Sequence, residues 1–175
     1  MAATDVSPLP LRDLKVVDFG QYMAGPAVAM ILADLGATVV HIDPPGGPMW
    51  DSPANATLNR NKLIITVDLK SAEGLEQAKA LIEEADIVIE NFRPGVMTRM
   101  GLDFTALRLD RPELITLSIP GFASNDELRR DWRAFESVIN AQSGVFTDMG
   151  LNRVLMGINP SFSPLPLASA YGTML

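Results

Sequence analysis

Leu14-Lys15-Val16-Val17-Asp18-Phe19-Gly20, Gln21-Tyr22-Met23-Ala24-Gly25-Pro26, Ala27-Val28-Ala29-Met30-Ile31-Leu32-Ala33-Asp34-Leu35 and Thr38-Val39-Val40-His41-Ile42-Asp43 together decide the fold. The first run is short and apolar, as a strand covered on both faces requires. Gly20 to Pro26 forms the turn after it, and Pro26 suits a helix start. Ala27 to Leu35 is apolar nearly all round, which fits a helix packed on a sheet and ended by Gly36. Thr38 to Asp43 is rich in β-branched residues and reads as a second strand, which Pro44-Pro45-Gly46-Gly47-Pro48 terminates. Strand, helix, strand in this order opens a βαβ unit.

The same rhythm continues outward. Met49 to Asn61 is polar and rich in Asn, Ser and Pro, and is expected to be a surface loop long enough to carry function. Leu63 to Asp68 reads as a strand. Ser71 heads a helix with Glu73 in its first turn and Leu75, Ala78, Leu81 and Ile82 on its buried stripe. Ala85 to Glu90 is the next strand. A helical stretch from Met97 to Leu107, broken near Gly101, leads to a fifth strand over Leu114 to Ile119. Five strands with intervening helices predict a doubly wound, Rossmann-like α/β fold with a largely parallel sheet.

The last third departs from this pattern. Asp126 to Asn140 is expected to be an amphipathic helix, Gly144 to Pro166 a long stretch of Gly, Asn, Ser and Pro, and Ala168 to Leu175 the start of an apolar helix. Because such a helix would leave its apolar face and terminal carbonyls without partners, the chain reads as part of a longer protein, cut before a second domain. The expected organisation is a tail over 1–10, an α/β nucleotide-fold domain over 11–144, and a loop with a helix start over 145–175.

Composition narrows the function classes. The chain has 175 residues, 47% of them hydrophobic, enough for an ordinary core. A net charge of -7 argues against nucleic acid or an anionic membrane surface as partner, since both are bound through clustered Lys and Arg. With no Cys and one His, no metal site of recognisable spacing can be assembled, and disulfides and thiolate nucleophiles are excluded. The first residues lack the basic flank and apolar run of a signal peptide, which makes the cytoplasm the simplest location.

Three places could carry chemistry. The turn Gly20 to Pro26 leads into a helix whose first amides suit a phosphate, although it is not a G-x-G-x-x-G fingerprint and could equally be tight packing. Asp43 ends the second strand, where a dinucleotide fold places its ribose carboxylate roughly 20 residues past the turn, so a nicotinamide-linked oxidoreductase stands as an alternative. Glu90-Asn91-Phe92-Arg93-Pro94-Gly95 follows a buried strand, where open α/β sheets hold ligands, with Arg99 shortly beyond. His41, inside a strand, reads as a packed side chain rather than a catalyst.

The ordered set Ala24-Gly25-Pro26, Leu35-Gly36-Ala37, Asn59-Arg60-Asn61-Lys62, Val67-Asp68-Leu69-Lys70, Glu90 to Gly95 and Gly101-Leu102 resembles class III CoA-transferases, the carnitine and formyl-CoA transferase group. The resemblance runs from Leu11 to Leu175 and covers the first half of a full family member. It implies coenzyme A or an acyl-CoA as ligand, transfer of CoA between an acyl-CoA and a carboxylic acid, and an interlocked dimer or a second module as partner. It places Met23, Ala24, Val67, Asn91, Arg99 and Arg133 at CoA-contacting positions; the two guanidinium groups match phosphate bidentately. Pro44 and Pro45 stand where some relatives have basic residues, which leaves fewer positive contacts for CoA.

The resemblance also locates a gap. Family members carry an aspartate at the start of a helix, which attacks the acyl-CoA to give a mixed anhydride and then an aspartyl-CoA thioester. Here the stretch is Pro164-Leu165-Pro166-Leu167-Ala168-Ser169-Ala170-Tyr171-Gly172; counting from Pro166 puts Ser169 at that position and counting back from Gly172 puts Ala168 there, and neither is a carboxylate. Glu136 matches a carboxylate near the family's active site. Related racemases pair the Asp with a His between Ile119 and Trp132, and this chain has none there. The implied reading is a class III CoA-transferase-like chain, inactive alone or dependent on another module, as in two-module relatives of the kind acting on dimethylsulfoniopropionate. The alternative of another class is a noncatalytic dimerisation module of the same fold.

Overall fold

The computed structural model describes residues 9–144 together with Gly157 and Ser169. The expected loop over 145–166 and helix over 168–175 therefore lie outside the described residues, Gly157 and Ser169 apart. Five strands, β1 Lys15–Asp18, β2 Thr38–Asp43, β3 Leu63–Thr66, β4 Ile87–Glu90 and β5 Ile115–Ser118, form one sheet in the order β3-β2-β1-β4-β5. All four pairings are parallel, with Val16 opposite both Val39 and Ile87. The doubly wound α/β expectation is met.

Side-chain alternation sorts the apolar residues onto two faces. Val16, Val39 and Ile89 face α1 (Ala24–Asp34), packing with Ala29 and Ala33. Val17, Ile42 and Val88 face the opposite layer, with Ala78 and Ile82 of α3 (Ala72–Glu83), Met97 of α4 (Val96–Arg99) and Leu102 before α5 (Phe104–Asp110). Ser71 caps α3 by accepting from the Gly74 amide at 3.0 Å. Arg111 closes its other end, donating to the carbonyls of Ile82 and Glu83 at 2.6 and 2.8 Å, in the last turn where carbonyls lack partners within the helix, and to that of Ala85 just beyond it at 2.9 Å. As expected, the helical stretch before β5 is broken at Gly101, which has φ +87°.

Two segments differ from expectation. The polar stretch 49–61 contains a short helix, α2 (Pro53–Leu58), because Pro53 sits at a first-turn position where no amide is needed. The helix expected over 126–140 forms only as α6 (Glu136–Gln142), preceded by turns. Asp126 satisfies the amides of Leu128 and Arg129 locally, which makes a turn self-sufficient. Trp132 and Phe135 then leave any helical stripe to meet Phe122 and Tyr22 edge to face. The self-sufficient turn at Asp126 and these ring pairs together outweigh the local helical pattern.

Candidate functional site

In the order β3-β2-β1-β4-β5, chain connections run away from β1 on one side and from β4 on the other, so a crevice opens at the carboxyl ends of these two strands. Gly20 to Met23 leaves β1 there, and Asn91 to Arg93 leaves β4. Asn91 fastens the two together: its side-chain oxygen accepts from the Gln21 amide at 2.7 Å, and its side-chain nitrogen donates to the Gln21 carbonyl at 2.7 Å. The turn is tight, since a Cβ at Gly20 would meet the Gly25 Cα at 2.7 Å, and Tyr22 takes the left-handed conformation with φ 65°.

A cavity of about 730 Å³ fills the crevice. Gln21, Tyr22, Met23 and Ala24 form one wall, Asn91 to Arg93 another, and Arg133 to Glu136 a third, with Ser169 also on its lining. A second cavity of about 550 Å³ lies over β1 to β3, with Ile42, Pro44, Pro45, Val67 and Lys70 on its walls. Gln21, Met49 and Phe92 line both cavities, so one elongated ligand could span them. The first-turn amides of α1 stand beside the larger cavity without partners inside the helix, a natural place for an anionic group.

Glu136, at the start of α6, is the one carboxylate among the described residues that line the larger cavity. Its Oε2 accepts from both the amide and the hydroxyl of Ser169, at 2.9 and 2.8 Å, and its Oε1 accepts from the side chain of buried Asn140 at 3.1 Å. Glu90, at the end of β4, is 7% exposed and accepts from the Phe92 amide at 2.6 Å. Burial pushes its carboxyl above the usual range, against the hydrogen bonds from Ser118 and Phe92.

Beneath the turn lies a set of buried charges. Asp18 Oδ1 accepts from the Gly20 amide at 2.8 Å, while its Oδ2 meets His41 Nδ1 at 2.8 Å and Lys62 Nζ at 2.9 Å. His41 Nε2 is 3.3 Å from Asp43 Oδ1. Lys62 Nζ also donates to the Pro26 carbonyl at 2.8 Å and to Asn59 Oδ1 at 3.1 Å, which uses all three of its protons. Burial lowers the Lys62 ammonium from its ordinary value; the charges of Asp18 and Asp43 and the Asp18 hydrogen bond hold it up.

Residues 11–174 match the model of CoA-transferase family III. The chain belongs to this family. It is 71% identical over 167 residues to the CoA-transferase/lyase DddD of Marinomonas sp. (strain MWYL1), an alignment that takes in 95% of this chain and 20% of that protein. The succinyl-CoA--D-citramalate CoA-transferase of Chloroflexus aurantiacus is 34% identical, with 89% of this chain and 42% of that one aligned. Among solved structures, a CAIB/BAIF family protein from Brucella suis superposes with a TM-score of 0.82 at 31% identity, over 95% of this chain and 48% of the other. This family III chain thus spans a fifth to about half the length of these relatives.

Of the residues singled out in this family III chain, Met23, Ala24, Asn91, Arg133, Glu136 and Ser169 come together on the larger cavity, and Val67 lines the second. Arg99 is exposed on the last turn of α4 and lines neither. Asn91 has both ends of its amide engaged by Gln21, so its first effect is on the shape of the turn. Asp43 is turned inward and 6% exposed, facing His41. His41 is 2% exposed, as a packed side chain should be, but it is packed between carboxylates. Sequence reasoning did not single out Asp18, or Lys62 outside its motif; the available signal was a charged residue directly bordering each apolar strand. Among the described residues no helix is long and apolar enough to cross a membrane.

Proposed function

We propose that this chain is a CoA-binding module of family III that lacks the nucleophile and completes acyl transfer only with another module of a longer protein. The observation carrying this reading is the state of Ser169. Counted from Pro166, it stands where the family resemblance places the aspartate, and it gives both its amide and its hydroxyl to one oxygen of Glu136. Transfer through a mixed anhydride needs a carboxylate that accepts the acyl group and then becomes a CoA thioester itself. A serine has no carbonyl carbon for the thiolate of CoA to attack, so it cannot form that second intermediate. An acyl group moved onto Ser169 would form an oxygen ester, from which return to a thiol is uphill. Glu136 is a carboxylate, but its oxygens are held by Ser169 and Asn140. His41, interior and bonded to Asp18, is not on the cavity to serve as base.

The binding half of the reading rests on the joined cavities, the α1 amides and the cations near them. The nucleotide and pantetheine parts of CoA would span the two cavities, with Arg133 on the larger one and Lys70 on the smaller as phosphate partners. Calorimetric titration with CoA at low salt, where phosphate contacts are least screened, should show saturable one-to-one binding. Arg133→Gln should weaken it by about tenfold or more, the size of a lost charge-assisted hydrogen bond. Arg99→Gln tests the family-implied contact separately. Incubation of the chain with an acyl-CoA and a carboxylic acid should give no transfer. Turnover at an ordinary enzymatic rate would overturn the reading, as would binding of NAD without CoA; binding of neither would favour the dimerisation module.

A further inference from the structure

We propose that Lys62 is a positioning residue of the larger cavity: its buried ammonium ties the start of α1 to Asp18 and so sets the shape of the turn that forms the cavity wall. The side chain of Lys62 is wholly inside the protein, as is that of Asp18. Its three donors reach three separate parts of the chain: Asp18 at the end of β1, the Pro26 carbonyl in the first turn of α1, and Asn59 just after α2. Asp18 passes the constraint on, since its other oxygen takes the Gly20 amide. The turn from Gly20 to Pro26 is therefore pinned at its beginning and its end by one ion pair, and at its middle by Asn91 through both sides of Gln21. Between those pins stand Tyr22, Met23 and Ala24, which face the cavity.

A buried ion pair adds little net stability compared with apolar residues of the same volume, because removing two charges from water offsets their attraction. What such a pair does supply is direction, since an ammonium with three partners accepts only one arrangement of them. The wall it supports stays in place only while all three carbonyl and carboxylate partners are met. Lys62 touches neither cavity.

The test uses Lys62→Met and, because that variant leaves the buried Asp18 carboxylate without its ammonium and with only His41 and the Gly20 amide as partners, also the double variant Asp18→Asn/Lys62→Met. Amide hydrogen exchange is followed residue by residue. Faster exchange by about tenfold or more at Gly20, Gln21 and Ala27, with Val88 and Ile89 unchanged, supports the positioning role. Exchange that is unaltered in the double variant, or accelerated equally throughout the sheet, overturns it. CoA titration adds a second arm, which rests on the proposed CoA binding. A rise in Kd of about tenfold or more in the double variant, at unchanged thermal stability, is the expected result, since small misplacements of a site wall carry effects of this size. Unchanged affinity overturns the role. If the unaltered chain binds no CoA, the CoA reading fails and the exchange pattern alone decides the role of Lys62.

Discussion

Glu90 shows how one residue at the end of β4 serves the site without touching a ligand. Its carboxylate holds the Phe92 amide at 2.6 Å, which fixes the bend that presents Asn91 to Gln21. Burial raises its pKa above that of the unfolded chain. A carboxyl raised on folding contributes stability that is fully present below the unfolded value, near pH ~4.3, and is lost as pH rises through the folded one. Glu90→Gln keeps an acceptor for the Phe92 amide and cannot ionise. The variant should therefore gain on the unaltered protein as pH rises from 4 to 7, in urea unfolding followed at both ends; a constant difference would sink the argument. That the motif Glu90 to Gly95 follows a buried strand was legible in the sequence, but the direction of its side chains was not. Asn91 reads there as a ligand contact, and its second role, clamping Gln21 from 70 positions away, is visible only in the fold. The same holds for Lys62 and Asp18, whose pairing over 44 positions exists only once β1, β2 and β3 lie side by side.

The elements themselves were legible wherever local and long-range forces agree. β2 was read with its observed ends because β-branched residues fill it and Pro44 stops it. The cap at Ser71 was read correctly because Glu73 and the stripe of α3 follow at helical spacing. The helical pattern over 126–140 holds only from Glu136 onward, and before that residue it loses to local turns and to contacts with residues ten or more positions away. Gly121 shows why that segment sits where it does. A Cβ there would stand 1.7 Å from the Cβ of Ala134, so the strand end after β5 and the approach to α6 pack in near contact. The pair closes one side of the larger cavity, since both residues line it. Gly121→Ala should destabilise the chain by about 1–3 kcal/mol, the usual range for overpacking. It should also push α6, and Glu136 with it, off the cavity. Thermal unfolding checks the first effect and CoA titration the second; a variant unchanged in both would mean that the segment yields without consequence.

At the scale of the whole molecule, the sheet ends on two strands that are poorly protected among the described residues. Leu63 and Ile64 of β3 are 61% and 52% exposed, and Ile115 and Leu117 of β5 are 59% and 37% exposed. Their register explains part of this. Ile115 and Leu117 pair with Ile87 and Ile89, which lie on the α1 side of the sheet, and α1 packs chiefly on β1, β2 and β4. Natural edge strands are blunted by charges, bulges or covering segments, because an apolar edge with free backbone groups recruits another strand. The chain spans a fifth to about half the length of its relatives, so in a longer protein further segments are available to cover these edges. Taken as it stands, the chain should self-associate as its concentration rises, with sedimentation velocity showing growth beyond a monomer at tens of micromolar. Ile64→Lys and Ile115→Lys place charges on the two edges and should each shift the distribution back toward monomer, without loss of the circular-dichroism signal. A monomer at every concentration would mean that the edges are already protected within this chain. Association unchanged by either lysine would place the contact away from the sheet.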